Sequence, residues 1–468
     1  MNHTDVLIVG AGPTGLALGV DLARHGISAL VVEREDDLFP GSRGKGIQPR
    51  TMEVFDDLGV LGAIRAAGGG YPVGMLWQNG ERMGEHRMFD QKAEPTEDSP
   101  YNEPWMVPQW RTQRILLERL GELGGKVAFR REVTGVTQGA DGVTAHLASG
   151  EPLHARYLVA ADGGRSVVRH SVEIGMTGEE VDPQPMLVAD VRLTGLDRDN
   201  WHIFPPAEGQ GLLAICPLAG TEDFQVVARF AEGAQVDVSP DGVRKVIAAR
   251  THLAADDVTD VRWASNFRPR AALADRFRAG RVFLAGDAAH VHSPAGGQGL
   301  NTSIQDAYNL GWKLGAVLGG GADEALLDTY EEERRPIAAQ MLDLSTSVHR
   351  GETQRGGATR QLDLGYPYSS LTAETRMEPG PVRAGDRAPD GTVAGVRVFD
   401  AFRGPHWTLL ALGTAAPAMP PSVRVVQGPA HRTYGTGLFL VRPDGYVGWA
   451  GDRPEGSGSY LGRFGLTG

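Results

Sequence analysis

The first 33 residues constrain the fold more than any other part of the chain. Asp5 to Gly10 is a short apolar run ending in glycine, Ala11 to Gly15 is a turn, and Leu16 to His25 repeats apolar residues at helical spacing before Gly26. Ser28 to Glu33 is a second apolar run. A strand, a tight turn, a helix and another strand make the start of a βαβ unit, which needs a parallel sheet to grow on. Gly10, Gly12 and Gly15 supply G-x-G-x-x-G, and Glu33 lies 18 positions beyond Gly15. The glycines permit a sharp turn, close approach of backbone to a pyrophosphate and close packing of helix on strand, while Glu33 can accept from ribose hydroxyls. Dinucleotide binding is the expected use of this end of the chain.

At 468 residues the chain is too long for one ordinary core, and two or three domains are expected. The net charge of −12 argues against a nucleic-acid partner. Cys216 is the one cysteine, so no internal disulfide is available, which fits a reducing cytoplasm. Met1 to Asp5 leads directly into a strand without a signal-peptide pattern, and no apolar run approaches a membrane span. A cytoplasmic protein without membrane contact is expected.

A second concentration of signals runs from Arg281 to Val317. Val282 to Ala285 has the character of a buried strand, Gly286-Asp287 breaks it, and a glycine-rich turn follows. Ile304, Ala307, Leu310, Leu314 and Val317 then fall at helical spacing, with Asn301 or Thr302 as the expected cap. A helix start of this kind offers N–H groups and a positive end to an electron-rich ligand. Leu153 to Ala160 is another strand ending in an acid, Asp162-Gly163, at the strand end where open α/β sheets bind ligands.

The remaining segments read as follows. Gly68 to Tyr101 is an irregular excursion, Arg114 to Leu123 a helix, and Gly139 to Gly142 the turn of a hairpin. From Glu179 to Arg270 strands dominate, interrupted by a helix at Asp241 to Arg250. This β layer is a natural pocket wall. Trp201, Phe204, Phe224, Phe230 and Phe267 line it or pack its core, and His202 and Cys216 are candidate polar groups. Leu326 to Leu344 is a helix whose charge run, Glu331 to Arg335, is solvated or paired. Residues 351–390 read as a connecting segment. Strand-like runs follow at Trp407 to Leu412, Val423 to Val426 and Gly437 to Arg442, with no Cys-x-x-Cys. Arg43 either reaches cofactor phosphates or is a solvated surface arginine.

Gly10-Ala11-Gly12-Pro13-Thr14-Gly15, Asp162-Gly163 with Arg165 and Arg169, and Gly286-Asp287-Ala288-Ala289-His290 with Pro294 and Gly296 to Asn301 together resemble the signature set of the group A flavoprotein aromatic monooxygenases. The resemblance spans Asp5 to about Pro336 in the family's order. It implies an α/β fold: a Rossmann-like FAD-binding domain of the glutathione-reductase type over 1–71, 102–178 and 271–350, with an inserted, mostly antiparallel β substrate domain over 72–101 and 179–270. Residues 351–390 are then a linker. Gly365 to Ser370, Gly385 to Pro389 and Arg442 to Gly445 are similar to the phenol-hydroxylase and polyketide-hydroxylase branch, which implies a thioredoxin-like domain over 391–468.

Carried over by position, the resemblance makes Glu33, with Arg34 beside it, the ribose end of an FAD site and Arg43 the arginine near the pyrophosphate. Gln109 matches a flavin-contacting glutamine, and Asp162 and Gly163 a motif tied to FAD and NAD(P)H. Asp287, after Gly286, would hold the ribityl chain, and Pro294 would sit beside the reactive face. Gly297, Gly299, Leu300 and Asn301 would cradle the pyrimidine edge, where a helix start favours the charge of reduced flavin by roughly 0.3–2 kcal/mol. Pro294, His292 and Arg43 are the candidate catalytic residues, with no side-chain nucleophile expected. One departure stands out: where phenol hydroxylases carry an aspartate just before the arginine matching Arg50, this chain aligns Lys45. A larger substrate activated by its own hydroxyls, such as a polyketide ring, is favoured over a simple phenol.

The implied reaction consumes NADPH or NADH and O2 and hydroxylates an electron-rich aromatic compound through a flavin C4a-hydroperoxide. The cofactor carries the chemistry, and the protein binds, orients and excludes water. Alternatives on the same scaffold are a Baeyer-Villiger or antibiotic-inactivating oxygenase, or a non-catalytic flavoprotein that sequesters an aromatic ligand. No second G-x-G-x-x-G follows a strand, so transient NAD(P)H docking is expected. His290 and His292 lack ligand-spaced acidic or cysteine partners, so no metal is expected. The expected assembly is a monomer or homodimer.

Overall fold

A computed structural model describes residues 3–87, 94–206, 211–293 and 296–466. The first sheet has the strand order Arg278–Ala279, Val282–Leu284, Pro152–Ala160, His3–Val9, Ala29–Val32, Val127–Ala128, and the hairpin Val133–Gln138 with Val143–Leu147 extends from Pro152–Ala160. The four contacts among the five strands from Val282–Leu284 to Val127–Ala128 are parallel. Val9 is paired with both Val32 and Ala160, and Ala160 with Leu284, so the strand ends that precede the three glycine motifs lie side by side. A parallel sheet delivers this result because its strands all end on one edge.

The helix Pro13–Arg24 covers one face of this sheet, with Gly19 facing Val31 and Leu120. Its outer side meets the long helix Gly299–Gly319, where Gly311 lets Asp21 approach and Gly315 makes room for His25. The helix Gln109–Glu122 is longer than its apolar pattern suggests, because its polar first turn also becomes helical.

A second sheet of seven strands has the order Val258–Phe267, Met186–Leu193, Phe224–Arg229, Leu213–Pro217, Asn200–Phe204, Val73–Gln78, Glu81–His86. It is antiparallel except where Asn200–Phe204 meets Val73–Gln78. The excursion after Gly68 thus supplies two of its strands. Its outer face carries Leu187, Ala228, Leu213 and Phe204 in one cross-strand row, buried beneath Val243 and Ile247 of the helix Pro240–Arg250. A short sheet of Met176–Glu180, Arg270–Ala274 and His290–Val291 joins the two layers.

The last sheet orders Ala373–Glu374, Val447–Gly451, Gly437–Val441, Trp407–Leu412, Val423–Gly428. Trp407–Leu412 runs parallel to Val423–Gly428 and antiparallel to Gly437–Val441, as in a thioredoxin-like core, but residues 413–422 between the parallel pair contain no helix. Ala373–Glu374, from the stretch read as connecting, is the fifth strand.

The expected helix over Leu326 to Leu344 is a 3-10 turn, Glu324–Asp328, followed by the helix Thr329–His349 with Pro336 inside it. Among the described residues, no helix is long and apolar enough to cross a membrane.

Candidate active site

The three motifs meet at the shared strand edge. Gly10 has φ +106°, and any side chain there would strike the Ala161 carbonyl, which brings the first turn against Asp162. Gly286, at φ +61°, lies against Thr14 with room for a Cβ only 2.6 Å from its hydroxyl. A Cβ on Gly15 would overlap the Gly10 carbonyl oxygen. Gly12 and Gly163 instead face open space, with nothing within 4 Å of an added Cβ. Tight contact behind the turn and open space in front of it is the cradle a pyrophosphate requires.

Pro13 and Thr14 form the first turn of the helix behind that cradle. Glu33 accepts from the Ala11 N–H at 2.8 Å, so one oxygen braces the turn. Arg34 beside it is exposed and pairs with Glu35 at 3.1 Å. Asp162 accepts from the Val168 N–H at 3.2 Å through one oxygen and leaves the other buried and without a partner. Burial raises its carboxyl, so this oxygen is a candidate for ligand contact.

Asp287 is exposed yet sits deep between elements, the situation of a side chain lining an interior cleft. Burial raises its carboxyl, while His290 and Arg43 pull it down. Arg43 is likewise open to the cleft and donates to Ser265 at 3.1 Å. The long helix begins at Gly299, with Gln298 as its N-cap. Asn301 and Thr302, the expected caps, lie inside the first turn. Asn301 is drawn away because its side chain donates to the Gly46 and Gly297 carbonyls at 2.9 and 2.8 Å and accepts from the Gln48 N–H at 2.8 Å. No side chain caps this helix, so its first N–H groups are left for a ligand. Leu300 packs on Gly44, whose N–H donates to Gln109 at 2.9 Å. The loop 44–48 is thus tied to both the Gln109 helix and the helix start. These residues fit an FAD running from Gly12 to the 299–301 turn.

His292 packs beside Gly299, and its Nε2 lies 3.0 Å from Nδ1 of His290. Burial pushes the His292 imidazole down to about 3. His290 Nε2 meets Asp306 at 2.5 Å, and Asp306 also accepts from the Gly286 N–H and from Arg334 Nε at 3.1 and 2.8 Å. Burial alone would raise the Asp306 carboxyl, but His290 and Arg334 outweigh it and hold it below the usual range. Pro294 lies outside the described residues.

The charge run after Tyr330 supplies residues that sequence patterning did not single out. Arg334 is wholly buried on Asp306, and Glu333 is wholly buried between Lys313, at 2.7 Å, and Arg442, at 2.6 Å. The available signal was charges at helical spacing among apolar residues, which marks a charge facing inward.

The seven-stranded sheet has an inner face opposite the one covered by the helix Pro240–Arg250. Ser265, Val188, Val227, Ala214, Ile203 and Leu76 form one cross-strand row there, and several of them are half-buried where the outer row is sealed. Trp201, Cys216 and Phe267 share this inner face. Phe204, Phe224 and Phe230 belong to the outer core. His202 also points outward, where it accepts from Trp77 at 3.0 Å, so it is a core histidine and not a pocket group. Strand alternation alone could not assign these faces, because both carry apolar residues.

Residues 3–345 match the FAD binding domain family and 382–463 the aromatic-ring hydroxylase C-terminal family. A flavin-dependent monooxygenase of Mycobacteroides abscessus is 46% identical over 95% of this chain and 96% of its own. The 12-dehydrotetracycline 5-monooxygenase/anhydrotetracycline 6-monooxygenase of Streptomyces rimosus is 35% identical over 95% of both chains. Aklavinone-11 hydroxylase, solved as a ternary complex with FAD and aklavinone, is 29% identical and superposes with a TM-score of 0.83 over 98% of both chains. The chain belongs to the FAD-dependent aromatic-ring hydroxylases: it is an FAD monooxygenase that uses NAD(P)H as co-substrate. Among the described residues, no group of three or more His, Cys, Asp and Glu side chains could hold a metal.

Proposed function

We propose that this enzyme hydroxylates a polycyclic, electron-rich natural-product ring of the polyketide type, in the cytoplasm, as a monomer or homodimer. The observation that carries the reading is the inner row of the seven-stranded sheet. Val188, Val227, Ala214 and Ile203 form an apolar row on the inner face that is half-buried at Val227 and Ile203, and a flat multi-ring compound would lie against that row. The tetracycline and aklavinone enzymes among its relatives act on compounds of that kind.

In this proposal Gly10, Gly12 and Gly15 seat the pyrophosphate, with Arg43 near it, and Glu33 the ribose. Asp287 holds the ribityl chain, Gln109 borders the flavin, and the first turn from Gly297 to Asn301 receives its pyrimidine edge. Bound FAD supplies the reduction by NAD(P)H and the activation of O2. The chain's own residues keep the reacting volume dry and hold the ring in place, because water there would divert the oxygen to peroxide. Leu300, Met106 and the inner apolar row enclose it. His292, neutral and pinned by His290, shapes the helix start.

The FAD-loaded enzyme incubated with phenols, naphthoquinones, polycyclic polyketides and aromatic antibiotics under labelled O2 should put one label into a polycyclic product with stoichiometric NAD(P)H use. Label found only in peroxide across the polycyclic compounds overturns the reading.

A further inference from the structure

Among the described residues two lysines are buried, and one of them has an ion pair. Lys313 is held by Glu333 at 2.7 Å. Lys45 is 9% exposed, and among the described residues its ammonium pairs with no carboxylate. It donates to the Gln225 side-chain oxygen at 2.7 Å and lies 4.4 Å from the centre of the Trp201 ring. A buried charge without a counter-ion is costly, so an unpaired one facing a site marks a place where a ligand supplies the missing charge.

Its position is set from both sides. The Lys45 carbonyl accepts from the Val107 N–H at 2.8 Å, and the neighbouring Gly46 carbonyl accepts from Asn301 at the start of the long helix. On the other side the loop lies across the inner sheet face. Gly41 packs directly on Trp263, and the Ser42 carbonyl accepts from the Gln225 amide. The ammonium therefore stands in the seam between the helix start and the half-open apolar row.

The groups facing it are few. Asp190, on the strand beside Gln225, lies against Ser42, and burial raises its carboxyl to about 6 while Ser42 pulls it down. The Cys216 thiol lies against the Lys45 ammonium; burial raises the thiol and lowers the ammonium, and each partly offsets the shift of the other. Tyr71 stacks on Trp201 with ring centres 6.1 Å apart, and its burial raises the phenol. Arg355 lies within electrostatic reach of both Lys45 and Tyr71 and adds a second positive charge. The balance at the seam is positive, and its walls are aromatic.

We propose that Lys45 is the counter-ion of the substrate and receives the ionised hydroxyl of an acidic phenol or enol on the ring to be oxygenated. This rests on the substrate reading above and narrows it to rings that bind as oxyanions. A lysine ammonium is a compact point charge suited to one oxygen, where a carboxylate would call for the bidentate fork of arginine. The anion is also the electron-rich form of the ring, so the group that binds it selects the form that accepts oxygen most readily. No aspartate at this position is needed to draw off the proton, because the charge that stabilises the anion is already present.

Alizarin, a flat hydroxyanthraquinone whose ionisation changes its colour, tests this on the FAD-loaded enzyme. Bound to the wild type, its hydroxyl should ionise about 1–3 pH units below the free dye, as expected for an opposite charge within contact range. Lys45→Met should abolish that shift and weaken binding of the anion at least about tenfold, while Lys45→Arg retains most of both. FAD content of each variant reports whether the fold survives, and a variant without FAD is replaced by Lys45→Gln. Alizarin that ionises on the wild type as it does in water, or that fails to bind it, overturns the proposal, as does a shift that persists in Lys45→Met. If no polycyclic compound is oxygenated while the dye result holds, the substrate reading fails and the oxyanion site stands.

Discussion

The cofactor end and the substrate wall of this enzyme are built on opposite plans. At the cofactor end the contacts are backbone, packed against backbone. Gly10 touches Ala161 and Gly15 touches Gly10, while Gly286 lies against the Thr14 side chain. Behind the helix start a buried charge is paired in place, with Asp306 held by His290 and Arg334. At the wall the contacts are side chains from separate strands, and Lys45 has no carboxylate paired to it among the described residues. A site made of backbone and compensated charge accepts one ligand geometry and little substitution. A wall of side chains with spare charge is where substrates are told apart and where specificity is free to change.

The largest test of that contrast is Arg334→Leu. It would strand a buried Asp306 carboxylate and should cost about 3–5 kcal/mol of stability in denaturant unfolding. A loss below about 1 kcal/mol would mean the cofactor end is not held by its charges.

Glycine and wall substitutions sharpen the comparison next. Gly15→Ala places a methyl group on the Gly10 carbonyl and should cost about 1–3 kcal/mol, read as weaker FAD retention by flavin fluorescence. Val227→Ala, on the half-buried wall, should leave FAD retention unchanged and move only the substrate profile. Equal loss of FAD from both would erase the distinction.

The smallest effect is in the pH dependence of stability. Burial holds His25 and His292 down to about 4 and about 3, so each costs stability as pH falls below about 6.5, where the unfolded chain takes up protons first. Burial holds Asp21 and Asp190 up to about 7 and about 6, and these regain stability over the same range. Stability should be nearly flat from neutrality to about pH 4. Below that, Asp306 and Glu333 remain charged in the fold by virtue of their cationic partners while the unfolded chain protonates, and stability should drop. Thermal unfolding followed across this range decides the matter, and a steep fall between pH about 7 and about 5 would show the histidine contribution dominating.

Much of the cofactor end was legible because its determinants are local. A glycine that must take positive φ, an acid after a strand and a helix start within a few residues are spelled out in order along the chain. The helix cap was misread because Asn301 is claimed by the 44–48 loop, more than 250 positions away. The burial of Glu333 and Arg334 was hidden for the same reason, since their partners Arg442 and Asp306 come from other elements.

By itself the sequence determined the parallel sheet and a dinucleotide site at its glycine motifs, because strand period, turn geometry and helix starts are short-range properties, and its resemblance to the flavoprotein monooxygenases implied FAD. Only the tertiary structure decided that His202 packs on the outer face of its sheet and Cys216 on the inner one, and that Lys45 lies beside Trp201 with no carboxylate paired to it among the described residues. Those outcomes depend on cross-strand register and on which loop crosses which face. Two apolar faces read alike until a second layer covers one of them.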